Sequence, residues 1–289
     1  MALTTPDSEQ MEVLCPAKIN LFLHVTGRRP DGYHDLFSLM APVSLCDRLT
    51  LRFGVPETGL TCDHPLVPEN ETNLAWRAAD LFFTALGQYA PVHIGIDKQI
   101  PVAAGLGGGS SNAASVLMAL NRHYGHPFSR EHLMRMGLSL GADVPFFIFG
   151  KPAIATGIGE KLVPYENVIH YHVLLIAFEF SVSTAGVYKN LNLGLTNCKK
   201  IIKSFSLKKQ GFDVAHYLCN DLETVTASDY PDIILAKKSL VDHGAKGALM
   251  SGSGPTVFGL FSDAETAEKT GRSLSQNGKW AVYLANLIG

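Results

Sequence analysis

Residues 101–114 read Pro-Val-Ala-Ala-Gly-Leu-Gly-Gly-Gly-Ser-Ser-Asn-Ala-Ala, a glycine-rich loop that runs directly into an apolar helical pattern. Gly105, Gly107, Gly108 and Gly109 carry no Cβ, so the backbone is free to turn sharply and aim several N–H groups at one anion. Ser110, Ser111 and Asn112 supply N-cap chemistry for a helix expected from about 111 to 121, where Ala113, Val116, Leu117 and Leu120 recur at helical spacing. A helix N-terminus offers up to four unpaired N–H donors and roughly half a positive charge, which suits a phosphate. A lone glycine triplet reads as a flexible loop that ends in a cap. Four glycines, two serines and an abrupt helix start, with no low-complexity tail, point instead to a bound polyphosphate.

Two common phosphate loops are excluded by inspection. A Walker loop needs a lysine after its last glycine, and none occurs between Lys98 and Lys151. A dinucleotide fingerprint needs a third glycine where Ser110 stands and an acidic residue roughly twenty positions on, but the nearest later one, Glu131, falls within a second helical stretch. The net charge of −2 offers no basic stripe for nucleic acid. The densest basic cluster (Lys199, Lys200, Lys203, Lys208, Lys209) falls in a polar connecting stretch and reads as solvated surface. Five scattered cysteines without a Cys-x-x-Cys fit reduced thiols in a cytoplasmic protein. The first twelve residues lack the apolar core of a signal peptide, and the longest apolar run, Val173 to Phe178, is far short of the ~18 residues of a membrane span. His123-x-x-His126 and His170-x-His172 have no partners at ligand spacing and read as ordinary histidines.

Period-two alternation predicts a half-buried strand over Ile19–Val25, with Lys18 at its start, and further strands over Leu49–Phe53 and Val92–Ile96. Asn73 caps a helical stripe of Leu74, Ala78, Leu81, Phe82 and Ala85, and Ser129 starts another helix ending near Gly141. Pro152 to Pro164 has little periodicity and suggests a domain boundary, dividing the chain into residues 1–155 and 156–289. Beyond it come a strand at 173–178, helical patterns near 213–226 and 230–243, strands near 246–250 and 255–261, a helix near 263–275 and a last strand from Trp280. This irregular order predicts an α+β fold.

Several segments resemble the motifs of one superfamily, the galactose, homoserine, mevalonate and phosphomevalonate kinases. Pro16-Ala17-Lys18-Ile19-Asn20-Leu21-Phe22-Leu23 resembles its first motif and the glycine loop its second. Leu140 to Phe147 is similar to its catalytic-aspartate segment, and Leu249 to Phe258, with Ser251-Gly252-Ser253-Gly254, to its third motif. Arg29-Pro30-Asp31-Gly32-Tyr33-His34, together with the triple glycine, is similar to one member whose acceptor carries a cytidine diphosphate. The segments run in the family's order from about residue 15 to 260.

The resemblance implies a ribosomal-protein-like N-terminal domain, a ferredoxin-like C-terminal domain, and a site in the cleft between them. It implies a kinase that uses ATP and Mg²⁺, for which phosphoryl transfer is mostly positioning and charge neutralisation. ATP would meet Pro101, Gly105, Leu106, Gly107, Gly108, Gly109, Ser110 and Ser111, with Asn73 and Lys98 toward the adenine. Asn73 reads equally well as a helix cap and Lys98 as a surface charge, and Ser111 is a candidate hydroxyl for Mg²⁺. Asp143, two residues before Pro145, is a helix cap on local grounds and the catalytic base by resemblance, with Val144 expected outside the helical region. Lys18 would be its partner, holding the carboxylate ionised. Asn20, Tyr33, His34, Thr184 and Tyr188 would bind the acceptor, a cytosine stacking on the tyrosine rings against the histidine edge. A kinase for a small acceptor without a base, or a non-catalytic sensor on the same fold, are the alternatives. Tyr33-His34 speaks against the first and the presence of both Lys18 and Asp143 against the second.

Overall fold

The structure, a computed structural model, describes residues 9–166, 170–195, 198 and 213–289. The basic cluster from Lys199 to Lys209 lies outside the described residues. The chain divides into two compact units. The first holds residues up to Ala17, then Cys46–Val102 and Gly107–Gly150; the second holds Lys18–Leu45, Ala103–Leu106 and Lys151–Gly289.

The first half of the chain forms β1 (Gln10–Arg28), β2 (His34–Phe53), β3 (Gly59–Cys62), α1 (Leu74–Leu86), β4 (Val92–Asp97), α2 (Gly108–His123), α3 (Arg130–Leu140) and α4 (Val144–Phe149). β1 and β2 each begin in one unit and end in the other. Within the first unit β4 pairs antiparallel with the end of β2, Arg48 facing Asp97 and Phe53 facing Val92, and parallel with β3. Leu49, Leu51, Ile94 and Ile96 from this ladder are buried, as the alternation predicts. α1, α2, α3 and α4 pack on one another, with Phe82 and Phe128 edge to face at 5.3 Å.

The helix ends follow local chemistry in two cases. Asn73 Oδ1 accepts the N–H of Ala75, and Gly87 closes α1 at φ 73°. Ser129 Oγ accepts the N–H of His132 at the start of α3. α2 departs from expectation. It starts at Gly108, capped by Gly107 at φ 72° with no side-chain cap bond, so Ser110, Ser111 and Asn112 sit inside the first turn. Only glycine reaches that left-handed cap at little cost, and the chain enters the helix earlier than the serines suggest. α4 also differs: Val144 is helical, because Pro145 falls in the first turn, where its missing N–H is no loss.

The remaining elements are β5 (Ala153–Gly157), β6 (Lys161–Pro164), β7 (His172–Ala177), α5 (Thr184–Asn190), β8 (Cys219–Asn220), α6 (Glu223–Asp229), α7 (Asp232–Asp242), β9 (Gly247–Met250), β10 (Val257–Phe261), α8 (Ala264–Gln276) and β11 (Ala281–Asn286). In the second unit β7, β9, β10 and β11 form an antiparallel sheet in the order β11-β7-β10-β9. With α7 packed on β9 and β10, and α8 on β7, β10 and β11, this is the ferredoxin-like arrangement. Leu174, Ile176, Val257 and Phe261 of the sheet share a core with Ile233, Ala236, Leu240, Ala267 and Leu274 of the helices. Among the described residues no helix is long and apolar enough to cross a membrane.

Three expectations are corrected here, and the stretch 152–164 proves more regular than its lack of periodicity suggests. Ile19–Val25 is part of a 19-residue strand and is buried on both faces from Ala17 to Val25, so its polar side chains need internal partners. The stretch 152–164 is a hairpin, β5 pairing with β6 and with Leu36–Met40 of β2. The helix expected over 213–226 is a 3₁₀ turn at Val214–Tyr217, then β8, then α6, because β8 is drawn out beside β1. Finally, Cys198 and Cys219 form a disulfide, Cα atoms 5.8 Å apart, which a 21-residue separation does not signal.

Candidate active site

In the first unit, the start of α2 presents the N–H groups of Gly108, Gly109 and Ser110 without intrahelical acceptors, and the first helical bond comes from Ser111 N to Gly107 O at 2.9 Å. Beneath it lies Lys98, whose Nζ is 2.6 Å from Asp47 Oδ2, both side chains buried. Asp47 also accepts from the backbone of Gln99 and Ile100 and from Asn112 Nδ2. Lys98 is therefore an internal charge and no surface residue. A Cβ on Gly108 would meet Lys98 Nζ at 2.9 Å and Ile100 Cγ2 at 3.1 Å, which explains the glycine. Gly109 is exposed and a Cβ there would touch only Leu74, at 3.7 Å. Ser111 Oγ is buried and has no hydrogen-bond partner among the described residues.

Asn73 is engaged as a cap through Oδ1, while its Nδ2 donates to Pro68 O at 2.8 Å. Pro101 is half-buried in the turn that precedes the loop. Asp143 occupies the N-cap position of α4, yet its carboxylate makes no capping bond. The local reading of Asp143 as a cap therefore loses its support.

In the second unit, Lys18 is 4% exposed and its Nζ donates to Asn20 Oδ1 at 2.7 Å. Asn20 Nδ2 donates to Ser38 Oγ, and Ser38 Oγ to Phe22 O, so β1 and β2 fix the pair from behind. The Lys18 N–H donates to Leu106 O at 2.9 Å, fastening the glycine loop to this strand. Gly105, at φ 77°, passes so close to the turn at 251–254 that a Cβ would lie 2.3 Å from Ser251 O. Ser251 Oγ donates to Gly105 O, and Asn220 Nδ2 donates to Met250 O and Gly252 O from below. Ser253 Oγ bonds Thr184 Oγ1 at 2.8 Å.

Tyr33 and His34 follow the Asp31-Gly32 turn, where Asp31 accepts from the Tyr33 N–H and pairs with Arg29. The His34 ring stacks on Tyr188 of α5, centroids 5.1 Å apart, and Tyr33 is 59% exposed. Burial, and then the charge of Arg28, hold His34 below the usual histidine pKa. Of the expected acceptor residues, His34 meets Tyr188, and Asn20 meets Lys18.

Family models described as "GHMP kinases N terminal domain" and "GHMP kinases C terminal" match residues 73–151 and 199–279. A 4-diphosphocytidyl-2-C-methyl-D-erythritol kinase from Geobacter sp. (strain M21) is 45% identical over 282 residues, covering 97% of this chain and 100% of its own. The enzyme of that name from Syntrophotalea carbinolica (strain DSM 2380 / NBRC 103641 / GraBd1) is 48% identical over 271 residues, covering 93% of this chain and 96% of its own. The chain belongs to this family of GHMP kinases. A crystal structure of 4-(cytidine 5'-diphospho)-2C-methyl-D-erythritol kinase matches with a TM-score of 0.79 at 35% identity, over 96% of this chain and 100% of the other.

As a GHMP kinase the chain is an ATP-dependent small-molecule kinase of the two-part α+β type. Sequence reasoning missed three residues that shape the GHMP kinase loops here: Asp47, Ser38 and Asn220. None has a local signature. Asp47 gathers donors from β4's end and α2, and Asn220 is recognisable only once β8 lies beside β1.

Proposed function

We propose that this kinase transfers the γ-phosphoryl group of ATP to the hydroxyl on the methyl-bearing carbon of diphosphocytidyl-methylerythritol, in the non-mevalonate route to isoprenoid precursors. The observation that carries the ATP side is the start of α2, a glycine-capped helix whose first three N–H groups have no intrahelical acceptor. Gly107, Gly108, Gly109 and Ser110 hold the phosphates, and Lys98 lies against this turn. Asn73 shapes the adenine end through the cap it already forms. The buried, unpartnered Ser111 Oγ fits a magnesium ion carried in with ATP, which would supply charge neutralisation on the phosphate oxygens.

Asp143 takes the proton of the acceptor hydroxyl or aligns it for attack, and Lys18, held by Asn20, neutralises charge on the transferring group. On the acceptor side, Tyr33 and Tyr188 offer rings to a cytosine and His34 its neutral edge. Each stacked base is worth ~1–3 kcal/mol. Thr184, tied to Ser253, lines the acceptor beyond the base. We place the reaction in the cytoplasm, where both nucleotides are made.

The test is a panel of acceptors with ATP and magnesium, read as ADP release. Turnover should be confined to the cytidine-bearing acceptor, and cytidine diphosphate should compete with it. Equal turnover with mevalonate or homoserine would overturn the assignment.

A further inference from the structure

Away from the nucleotide and acceptor residues, the second unit gathers four ligand-type side chains at one corner. β1 and β8 run parallel with Phe22 opposite Cys219 and Leu23 opposite Asn220, so His24 comes beside Asp221, with Cys219 on the same face two residues before. The Asp221 N–H donates to Leu23 O at 3.0 Å, continuing the register past the end of β8. Cys198 closes the corner through its bond to Cys219. His24, Asp221 and Cys198 are 4%, 1% and 1% exposed. The ligand atoms of these three lie within 4.8 Å of one another. Asp221 Oδ2 meets His24 Nδ1 and accepts from the Val25 N–H, while Oδ1 accepts from the Cys198 N–H at 3.3 Å. A carboxylate, an imidazole and the Cys198 sulfur thus converge in a buried place that the phosphoryl transfer does not use, with the half-buried Cys219 sulfur bonded to Cys198.

We propose that reduction of the Cys198–Cys219 disulfide converts this corner into a structural zinc site with ligands Cys198, Cys219, His24 and Asp221. A dithiol reductant passes two electrons and two protons to the S–S bond and is itself oxidised to a disulfide. Zn²⁺ then displaces both thiol protons to solvent. His24 binds through the Nδ1 lone pair, its one ring proton held on Nε2, and Asp221 adds a carboxylate oxygen. Two sulfurs, one nitrogen and one oxygen are a closed tetrahedral set for zinc. With bonds of ~2.0–2.3 Å such ligands lie about 4 Å or less from one another, close to the present spacing of His24, Asp221 and Cys198, and Cys219 is already bonded to Cys198. The alternation has a structural rationale. Asn220, between Cys219 and Asp221, carries the turn at 250–252, and either cross-link keeps it in register.

The experiment uses the full chain, reduced with dithiothreitol, freed of it without oxygen, and titrated with Co²⁺ as a spectroscopic probe and then with Zn²⁺. One Co²⁺ per chain should bind with a sulfur-to-cobalt charge-transfer band that Zn²⁺ abolishes, and the oxidised chain should give no band. Cys219→Ser and His24→Gln should weaken binding by at least the ~10–100-fold that loss of an outer-shell partner costs. In the wild-type chain Zn²⁺ should shield Cys198 and Cys219 from alkylation, read by peptide mass spectrometry, and leave Cys46 and Cys62 reactive. This readout needs no variant to fold. No thiolate band in reduced, folded protein, or alkylation of Cys198 and Cys219 unaffected by Zn²⁺, would overturn the proposal.

Discussion

Asp47 and Lys98 form a buried ion pair, 2.6 Å between Oδ2 and Nζ with the side chains 0% and 5% exposed, directly under the glycine that opens α2. The Asp47 carboxylate also accepts from Gln99, Ile100 and Asn112. Replacing one partner of a buried pair strands the other, at a cost of about 3–5 kcal/mol. Asp47→Asn, which strands the ammonium, should lower unfolding free energy by that order in urea titration. Lys98→Met leaves Asp47 three donors and should cost less. Equal stabilities for Asp47→Asn and wild type would show that the pair does not hold this turn.

The glycines of α2 should separate packing from phosphate approach. Gly108→Val forces a branch against Lys98 and Ile100 and should destabilise the fold as well as ATP binding. Gly109→Val has room on the protein side and replaces glycine with a better helix former, so folding should survive while ATP affinity falls. Calorimetric titration with the non-hydrolysable ATP analogue decides it. Wild-type affinity in folded Gly109→Val would place the phosphates elsewhere.

Asp143→Asn keeps shape and removes charge and basicity. Since the carboxylate makes no capping bond, stability should hardly change, while kcat falls by roughly 10²–10⁴-fold, the range for a positioned acid or base. ATP and acceptor should still bind. Lys18→Met should show the same split between kcat and binding. Near-normal turnover in folded Asp143→Asn protein would remove it from the mechanism.

His34 gives the pH dependence its sign. Burial and Arg28 disfavour its protonated form in the folded chain, so the ring is neutral at neutral pH. The unfolded chain takes up the proton first, near the ordinary value of ~6.5, so this contribution to stability is present above that pH and lost as pH falls through the lower folded value. Acceptor KM at saturating ATP should likewise be flat above ~6.5 and rise in acid. His34→Gln should flatten the profile. An acceptor KM that improves on acidification would contradict a neutral His34 at the base.

What was legible in the sequence is what local chemistry decides. Asn73 and Ser129 announce their helices because a cap bonds an N–H two or three residues on, and β4 shows its alternation because one ladder face is buried. The order of strands and helices after residue 170 is also readable, apart from α5, whose single short helix shows no apolar stripe, and β8, where two residues of strand leave no period to detect. The start of α2 is hidden in the sequence because three good cap residues follow a glycine that does the capping by backbone conformation alone. Burial of Lys98 and the meeting of Cys198 with Cys219 depend on partners 51 and 21 residues distant, and nothing beside them in the chain reveals either.

The passage of β1 and β2 through both units has a consequence for how the chain comes off the ribosome. When Gly150 has emerged, every segment of the first unit exists, yet Lys18–Leu45 belongs to the second. Its strand partners arrive later: β5 for Leu36–Met40, and β8, well beyond it in the chain, for Phe22 and Leu23. Until then an apolar strand edge stands open to other chains. The two units are thus a single heritable piece, unsuited to exchange as cassettes, and the nascent enzyme depends on its second half to shelter its first two strands.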